Sequence, residues 1–227
     1  MRFDQQQLEW IRLHDRFHRN CQIDYNSLAA PFVSVHDPRV SDSSAPTILL
    51  IGKATARDWF AASYEHWRSR SALDRLAERR SVTIDFITNP NYRRARSSGF
   101  WQMWKRLKDV TGGAVIWSNV AKIGTRRGNP NWRLVEAEAE LAIATLKAEV
   151  EQYKPRLIFF VTGYFARYEV VVPFLAASMN TVQNEHGIFL RRGGGKGNPA
   201  VLWTGHPERK HRDTIERWLK EVRRLLR

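Results

Sequence analysis

Residues 47–55 read T-I-L-L-I-G-K-A-T, an apolar run that ends in a glycine followed by polar and small residues. Three other stretches have a similar form: A-V-I-W-S-N at 114–119, R-L-I-F-F-V-T at 156–162 and V-L-W-T at 201–204. Short continuous apolar runs bounded by turn residues are typical of strands that are buried on both faces. The sequence therefore predicts four buried strands, at 47–52, 114–119, 156–162 and 201–204.

Helical patterns separate these strands. Residues 4–20 and parts of 56–80 are spaced like helices, and Ser97 or Ser98 is the expected N-cap of a short helix. A longer helix is expected to start at Pro130 and to end before Pro155, and a last helix to open on a capping box made by Asp213 and Glu216. The predicted buried stripes of these last three helices are Phe100, Met103, Trp104 and Leu107; Val135, Ala139, Ala142, Leu146 and Val150; and Ile215, Trp218, Leu219 and Val222.

Alternating strands and helices favour a parallel sheet covered on both faces. We therefore predict an α/β fold, a three-layer α/β/α sandwich around a central, four-stranded, mostly parallel sheet. No internal repeat or linker divides the chain, so residues 1–227 are expected to form one domain.

The charge of the chain restricts its partners. It carries 37 Lys and Arg against 23 Asp and Glu, a formal charge of +14, which favours nucleic acid first and an anionic membrane surface second. The single cysteine, Cys21, excludes an intramolecular disulfide, a cysteine-based zinc site and an iron–sulfur cluster. No run approaches the ~18 apolar residues of a membrane span, and the N-terminus is too polar for a signal peptide. We expect a cytoplasmic monomer.

Polar residues follow three of the predicted strands. Gly52 ends the first strand, Asn119 ends the second, and His206 follows the last. In an open parallel sheet, ligands bind in the crevice beyond the carboxyl ends of the strands, so these residues are expected to meet there. His206 and His211 do not have the spacing of metal ligands on a helix, and no carboxylate cluster accompanies them. We expect neither a metal nor a cofactor.

In chain order, G-K-A-T (52–55), W-S-N-V-A-K (117–122) and G-H-P-E-R-K (205–210) resemble the motifs of the uracil-DNA glycosylase superfamily. That family has G-Q-D-P-Y-H or G-E-A-P-G after its first strand, an Asn at the end of another strand, and H-P-S-P after a late strand. The segment S-N-V-A-K-I-G-T-R-R-G-N-P is similar to T-N-V-V-K-x-R-P-P-G-N-R of the thermostable branch. The segment K-P-R-L-I-F-F-V-T-G is similar to the third strand of that branch. The resemblance spans roughly residues 47–211.

The resemblance implies roles for several residues. Asn119 would bond the Watson–Crick edge of a flipped pyrimidine, and His206 would stabilise the negative charge that the leaving base acquires. Arg209 and Lys210 match the loop that enters the minor groove in the family. The first motif would line the base pocket with Gly52, Lys53, Ala54 and Thr55.

Two departures from the family pattern affect the chemistry. The water-activating acid of the first motif is absent; Asp58 is the nearest substitute and Asp85 a remoter one. The Tyr that blocks 5-substituted pyrimidines in many members is also absent, so a larger base could enter. The candidates for stacking on that base are Trp59, Phe100 and Trp101, although aromatic residues more often pack in the core.

Three basic stretches are expected to be loops that follow the phosphate backbone of DNA. They contain Arg93, Arg94 and Arg96; Arg191, Arg192 and Lys196; and Arg209 with Lys210. The alternative to DNA binding, for all of these residues, is that they form part of a solvated basic surface.

The function that these patterns favour is a monofunctional DNA glycosylase that excises a uracil-like base or a 5-modified cytosine such as those of phage DNA. That substrate would suit a role in DNA repair or phage defence. A second interpretation is a non-catalytic DNA-binding base sensor, which the missing acid favours. A third is an unrelated basic α/β protein that binds RNA or nucleotides at the glycine loop 193–197.

Overall fold

A computed structural model describes residues 3–19, 28–35, 46–56, 67, 69–93, 97–112, 114–125, 130, 132–163, 187–192, 194, 198–208 and 210–227; at 17–19, 55, 56, 93, 191 and 192 it describes the backbone alone. The helices are α1 (Phe3–Arg19), α2 (Ala72–Thr88), α3 (Gly99–Thr111), α4 (Trp132–Tyr153) and α5 (Arg212–Leu226), with a 3-10 helix at Pro90–Arg93. The strands are β1 (Ile48–Ala56), β2 (Val115–Thr125), β3 (Leu157–Phe160), β4 (Ile188–Arg192) and β5 (Ala200–Thr204).

The sheet confirms the predicted α/β class. Its strand order is β2-β1-β3-β5-β4; the first four of these strands are parallel, and β4 pairs with β5 in the antiparallel direction. The predicted number of four strands was wrong, because residues 188–192 form a fifth. This strand lies at the edge of the sheet and ends in two arginines. Edge strands tolerate charged residues, so a search for continuous apolar runs does not detect it.

Helices cover both faces of the sheet and make the three layers. On one face, Trp10 of α1 and Leu146 of α4 pack against Leu49 of β1. On the other face, side chains of α2, α3 and α5 pack against Ile48 and Leu50 of the same strand. Among the described helices, none is long and apolar enough to cross a membrane.

Two strands are longer than predicted. Strand β2 continues past Asn119 to Thr125, and β1 continues past Gly52 to Ala56. The register pairs Gly52 with Asn119, so both residues lie inside strands and not at their ends. The charged residue within β2, Lys122, is buried, since its Nζ donates hydrogen bonds to Ser118 Oγ and Glu149 Oε1, both at 2.5 Å.

Helix ends show two further differences. Helix α4 begins at Trp132 and not at Pro130, although it does end before Pro155, at Tyr153. The predicted capping box of α5 is wrong, because His211 takes the N-cap position without a side-chain cap bond. Glu216 instead accepts a 2.7 Å hydrogen bond from Arg106 of α3, which ties two neighbouring helices together.

The predicted buried stripes of α3, α4 and α5 agree with the observed packing. Phe100, Met103, Trp104 and Leu107 are buried along α3. In the other two helices the predicted residues are buried, apart from Val150 and Ile215, which are partly exposed and pack against the two cores.

Candidate functional site

The centre of the candidate site is a close contact between β1, β2 and α3. A Cβ added to Gly52 would lie 2.8 Å from Asn119 Oδ1 and 3.0 Å from Phe100 Cε2. Neither distance leaves room for a side chain at residue 52. The glycine therefore lets the amide of Asn119 and the ring of Phe100 approach the backbone of β1.

The two ends of the Asn119 amide differ in their hydrogen bonding. Its Oδ1 accepts a hydrogen bond of 3.2 Å from Trp117 Nε1. Its Nδ2 is buried and has no hydrogen-bond partner in the described part of the chain, and the residue as a whole is 2% exposed. A buried amide nitrogen without an acceptor costs free energy, which a ligand carbonyl or ring nitrogen can recover.

Phe100 forms an aromatic wall beside this amide. Its ring stands edge-on to Trp101, with ring centroids 5.1 Å apart, and is 6.2 Å from the ring of Trp117. Trp101 itself packs between Trp117 and Phe86, at 4.7 Å and 4.9 Å. Trp101 therefore belongs to the core, whereas Phe100 touches both the core and the contact at Gly52.

His206 follows β5 at the carboxyl edge of the sheet. Its Nδ1 accepts a hydrogen bond of 3.2 Å from the backbone N–H of Glu208. The pKa of His206 is lowered to about 4, chiefly by burial; the charges of Lys53 and Lys210 also lower it, and that of Glu208 raises it. The imidazole is therefore neutral at pH 7, and its remaining proton lies on Nε2 as a hydrogen-bond donor.

The loop that carries His206 is attached to α3. The backbone N–H of Gly99 donates to Glu208 Oε2 at 3.3 Å, and a Cβ on Gly99 would meet Pro207 O at 2.8 Å. Because Phe100 is the next residue of the chain, this contact places the histidine loop beside the residue that touches Gly52. The geometry thus brings Gly52, Phe100, Asn119 and His206 to the region where β3 and β5 end, beside the continuing strands β1 and β2.

The residues that follow Gly52 in the first motif do not all face the candidate site. Lys53 is half-buried and close enough to His206 for its charge to affect that pKa. Ala54 packs against the core on the α4 side, the opposite face from Phe100. The side chain of Thr55, and Asp58 and Trp59 as whole residues, lie outside the described residues.

Of the two aspartates named as substitutes for the missing acid of the first motif, the structure describes one. Since Asp58 is not described, only Asp85 can be placed: it is exposed on α2 and accepts a 3.0 Å bond from Asn89 Nδ2. The carboxylate whose charge reaches His206 is that of Glu208.

The basic stretches have different positions. Lys210 is exposed, and its charge contributes to lowering the pKa of His206, so it lies at the candidate site. Arg191 and Arg192 were expected in a loop, but they belong to β4, where they pair with Leu202 and Val201. Since β5 runs from Ala200 towards His206, Arg191 and Arg192 lie beside the first half of β5, away from His206. The other predicted contacts fall outside the described residues: Arg94, Arg96, Lys196, Arg209 and the side chain of Arg93.

Two residues of the site have no separate sequence signal. Trp117 lies two residues before Asn119, a spacing that puts both side chains on one face of a strand. Glu208 lies two residues after His206, inside the histidine motif. Local spacing could have suggested both, but their hydrogen bonds depend on the fold.

No protein-family model matches this chain, and a search of the curated proteins finds no significant match. Within the described ranges, no group of three or more His, Cys, Asp and Glu side chains is arranged to hold a metal ion.

Proposed function

We propose that this protein is a monofunctional DNA glycosylase that excises a uracil-like base or a 5-modified cytosine and leaves an abasic site. The observation that carries the proposal is the unpartnered, buried Nδ2 of Asn119, which lies beside Gly52 and Phe100 at the edge that also holds a neutral His206. An amide donor, an aromatic ring and a second neutral donor fit a flat, polar-edged ligand such as a nucleobase.

In this reaction the glycosidic C1′–N bond breaks and both of its electrons go to the base. The base acquires negative charge on its ring carbonyl, where the Nε2–H of His206 can donate a hydrogen bond. Water adds to C1′ and gives the sugar its hydroxyl group, while the proton it releases neutralises the departing base. A neutral histidine suits this role because it can stabilise the anion without first losing or gaining a proton.

Phe100 and Asn119 hold the base by different forces. The ring of Phe100 offers apolar contact to the base, and Asn119 Nδ2 offers a donor to an acceptor on its edge. Gly52 leaves the space that both need. Together these contacts recover part of the free energy that is lost when the nucleotide leaves the stack.

The partner that we propose is DNA, bound by a monomer in the cytoplasm. The formal charge of +14 supports a polyanionic partner, and Lys210 places one exposed cation next to His206. The absence of the family's blocking Tyr supports a base with a substituent at C5. Base repair and defence against phage with modified DNA are both compatible with such a substrate.

The test is release of a free base from DNA, followed by cleavage of the abasic site with alkali. We expect release in excess EDTA, and a loss of about 10²-fold in Asn119→Ala and His206→Ala, as is typical for a preorganised donor. His211→Ala is the matched control, since His211 is an exposed histidine of the same loop without a side-chain cap bond. Folded variants that keep the wild-type rate would contradict the assignment, and activity that requires a divalent ion would indicate a nuclease.

The same assay separates the alternatives. A base sensor would bind modified DNA tightly and release no base, and the absence of an acid from the first motif, Gly52 to Thr55, favours this second candidate. A nucleotide-binding role for residues 193–197 has less support, because Arg192, which precedes them in the chain, pairs with Val201 near the start of β5, away from Asn119 and His206.

A further inference from the structure

We infer that Trp117 is a positioning residue that makes Asn119 a donor-only reader, so that the site selects a base with a hydrogen-bond acceptor at the atom facing Asn119. The inference rests on the proposed function and adds to it the chemistry of the recognised edge. That acceptor is either the 4-keto oxygen of a uracil-type base or the ring N3 of a cytosine-type base.

The first step is the orientation of the amide. An indole nitrogen can only donate, so the atom of Asn119 that lies 3.2 Å from Trp117 Nε1 is the carbonyl oxygen. A rotation of the amide by half a turn would put two donors face to face in a buried space. The Trp117 indole therefore fixes which end of the amide is turned to the ligand.

The second step is the enclosure of Oδ1. On one side it is bonded to Trp117, and on another it lies so close to β1 that a Cβ on Gly52 would be 2.8 Å away. A base cannot reach this oxygen without displacing one of these neighbours. The two N–H groups of Nδ2, which have no partner among the described residues, are what remains for the ligand.

The third step is the consequence for recognition. Uracil and cytosine present opposite groups at two neighbouring atoms: uracil has an acceptor at position 4 and a donor at N3, and cytosine has the reverse. An amide that can rotate accommodates both bases, whereas one fixed as a donor accommodates the base whose acceptor faces it. The mismatched base leaves two buried donors opposed, which costs about 1–3 kcal/mol, or roughly 5- to 150-fold in rate.

Trp117 can be tested against a closely matched residue. Trp104 is also buried, 7% exposed against 8% for Trp117, and its Nε1 also donates one hydrogen bond, of 3.3 Å, to the backbone oxygen of Val115. Trp117→Phe and Trp104→Phe therefore remove the same indole N–H and similar volume from one aromatic cluster. The first removes the bond to Asn119, and the second does not.

The experiment measures single-turnover base release from DNAs that contain uracil, cytosine or 2-pyrimidinone with the same C5 group in each set: hydrogen, hydroxymethyl or glucosylated hydroxymethyl. We expect the wild-type protein to prefer uracil over cytosine, or the reverse, by about tenfold or more. The 2-pyrimidinone, which keeps N3 as an acceptor and has no 4-substituent, reacts like cytosine if N3 is read and poorly if the 4-keto oxygen is read. Trp117→Phe should bring the ratio of uracil to cytosine close to one, while Trp104→Phe keeps it.

A ratio that survives in Trp117→Phe, or that falls equally in Trp104→Phe, overturns the inference and leaves the proposed function intact. If the wild-type protein releases no base from any DNA, the proposed function fails, and NMR decides the orientation separately. In that experiment the Trp117 indole proton should exchange slowly with deuterium. The Asn119 amide signals should move in Trp117→Phe and not in Trp104→Phe; unmoved signals in both variants overturn the inference.

Discussion

Replacing Gly52 by alanine adds one carbon to the most crowded point of the site. The new Cβ would lie 2.8 Å from Asn119 Oδ1 and 3.0 Å from Phe100 Cε2. Neither neighbour is a flexible surface group: Oδ1 is bonded to Trp117, and Phe100 is 8% exposed against the aromatic core. The strand can accept the alanine only if the amide, the ring or the backbone of β1 moves.

The cost follows from two opposing effects. Overpacking a buried site costs about 1–3 kcal/mol, and replacing glycine within a strand returns roughly 0.5–1 kcal/mol. The net loss of roughly 0–2.5 kcal/mol corresponds to a fall in Tm of up to about 10 °C for a chain of this size. Displacing the amide by a fraction of an ångström should also slow base release by about tenfold or more, since a misplacement of about 1 Å can cost 10²-fold.

Two measurements on Gly52→Ala test this reasoning: the Tm from calorimetry and the single-turnover rate of base release. The matched control is Gly205→Ala, whose Cβ would meet the flexible end of Lys210 at 3.3 Å and the ring of Trp218 at 3.5 Å. This control should change Tm little. If Gly52→Ala keeps both the wild-type Tm and the wild-type rate, Asn119 and Phe100 do not lie against β1, and the geometry of the site is wrong.

Two further predictions concern the histidine loop. The pKa of His206, lowered from 6.5 to about 4 in the folded protein, can be measured by an NMR titration. It should rise in Lys53→Met and fall in Glu208→Gln, because the charge of Lys53 lowers it and that of Glu208 raises it. Shifts of equal sign in the two variants would refute the arrangement. Because this pKa is lower in the folded than in the unfolded chain, neutral His206 should stabilise the fold fully above pH 6.5, and this stabilisation should be lost as the pH falls to about 4. The free energy of unfolding should therefore fall less between these two pH values in His206→Gln than in the wild-type protein. The substitution Lys210→Ala should lower the slope of log K for DNA binding against log salt by ~0.9, whereas Lys220→Ala on α5 should leave this slope unchanged. Equal slopes in the two variants would mean that DNA does not contact Lys210.

The regular elements could be predicted because their information is local. The stripe of α3, from Phe100 to Leu107, recurs at helical spacing, and the run 157–160 has no polar residue to break it. Strand β4 could not be found in this way. It has one neighbour, ends in arginines and is followed by glycines, so its sequence is typical of a loop, and only its pairing with β5 makes it a strand.

The length of β2 shows the limit of a local pattern. The apolar run predicts a strand that ends at Asn119, and Lys122, which follows, is very costly to bury when it is unpaired. Its partner, Glu149, lies on α4 and is 27 positions further along the chain. The same limit applies to Trp117, whose indole could equally have packed in the core without bonding to Asn119. Gly52, Asn119 and His206 could be placed at one edge from the order of the strands, whereas the hydrogen bonds between neighbours could not.

The residues that a search for apolar patterns misreads also set the register of the site. Ser118 and Lys122 turn to the α4 face of β2, where both bond to Glu149, and Trp117 and Asn119 turn to the α3 face. A buried ion pair adds little net stability compared with apolar packing, but separating its partners costs about 3–5 kcal/mol. A slip of β2 by one residue would separate Lys122 from Glu149 and turn Asn119 to the wrong face. The ion pair on one face of β2 therefore opposes the slip that would remove the Asn119 amide from the other face.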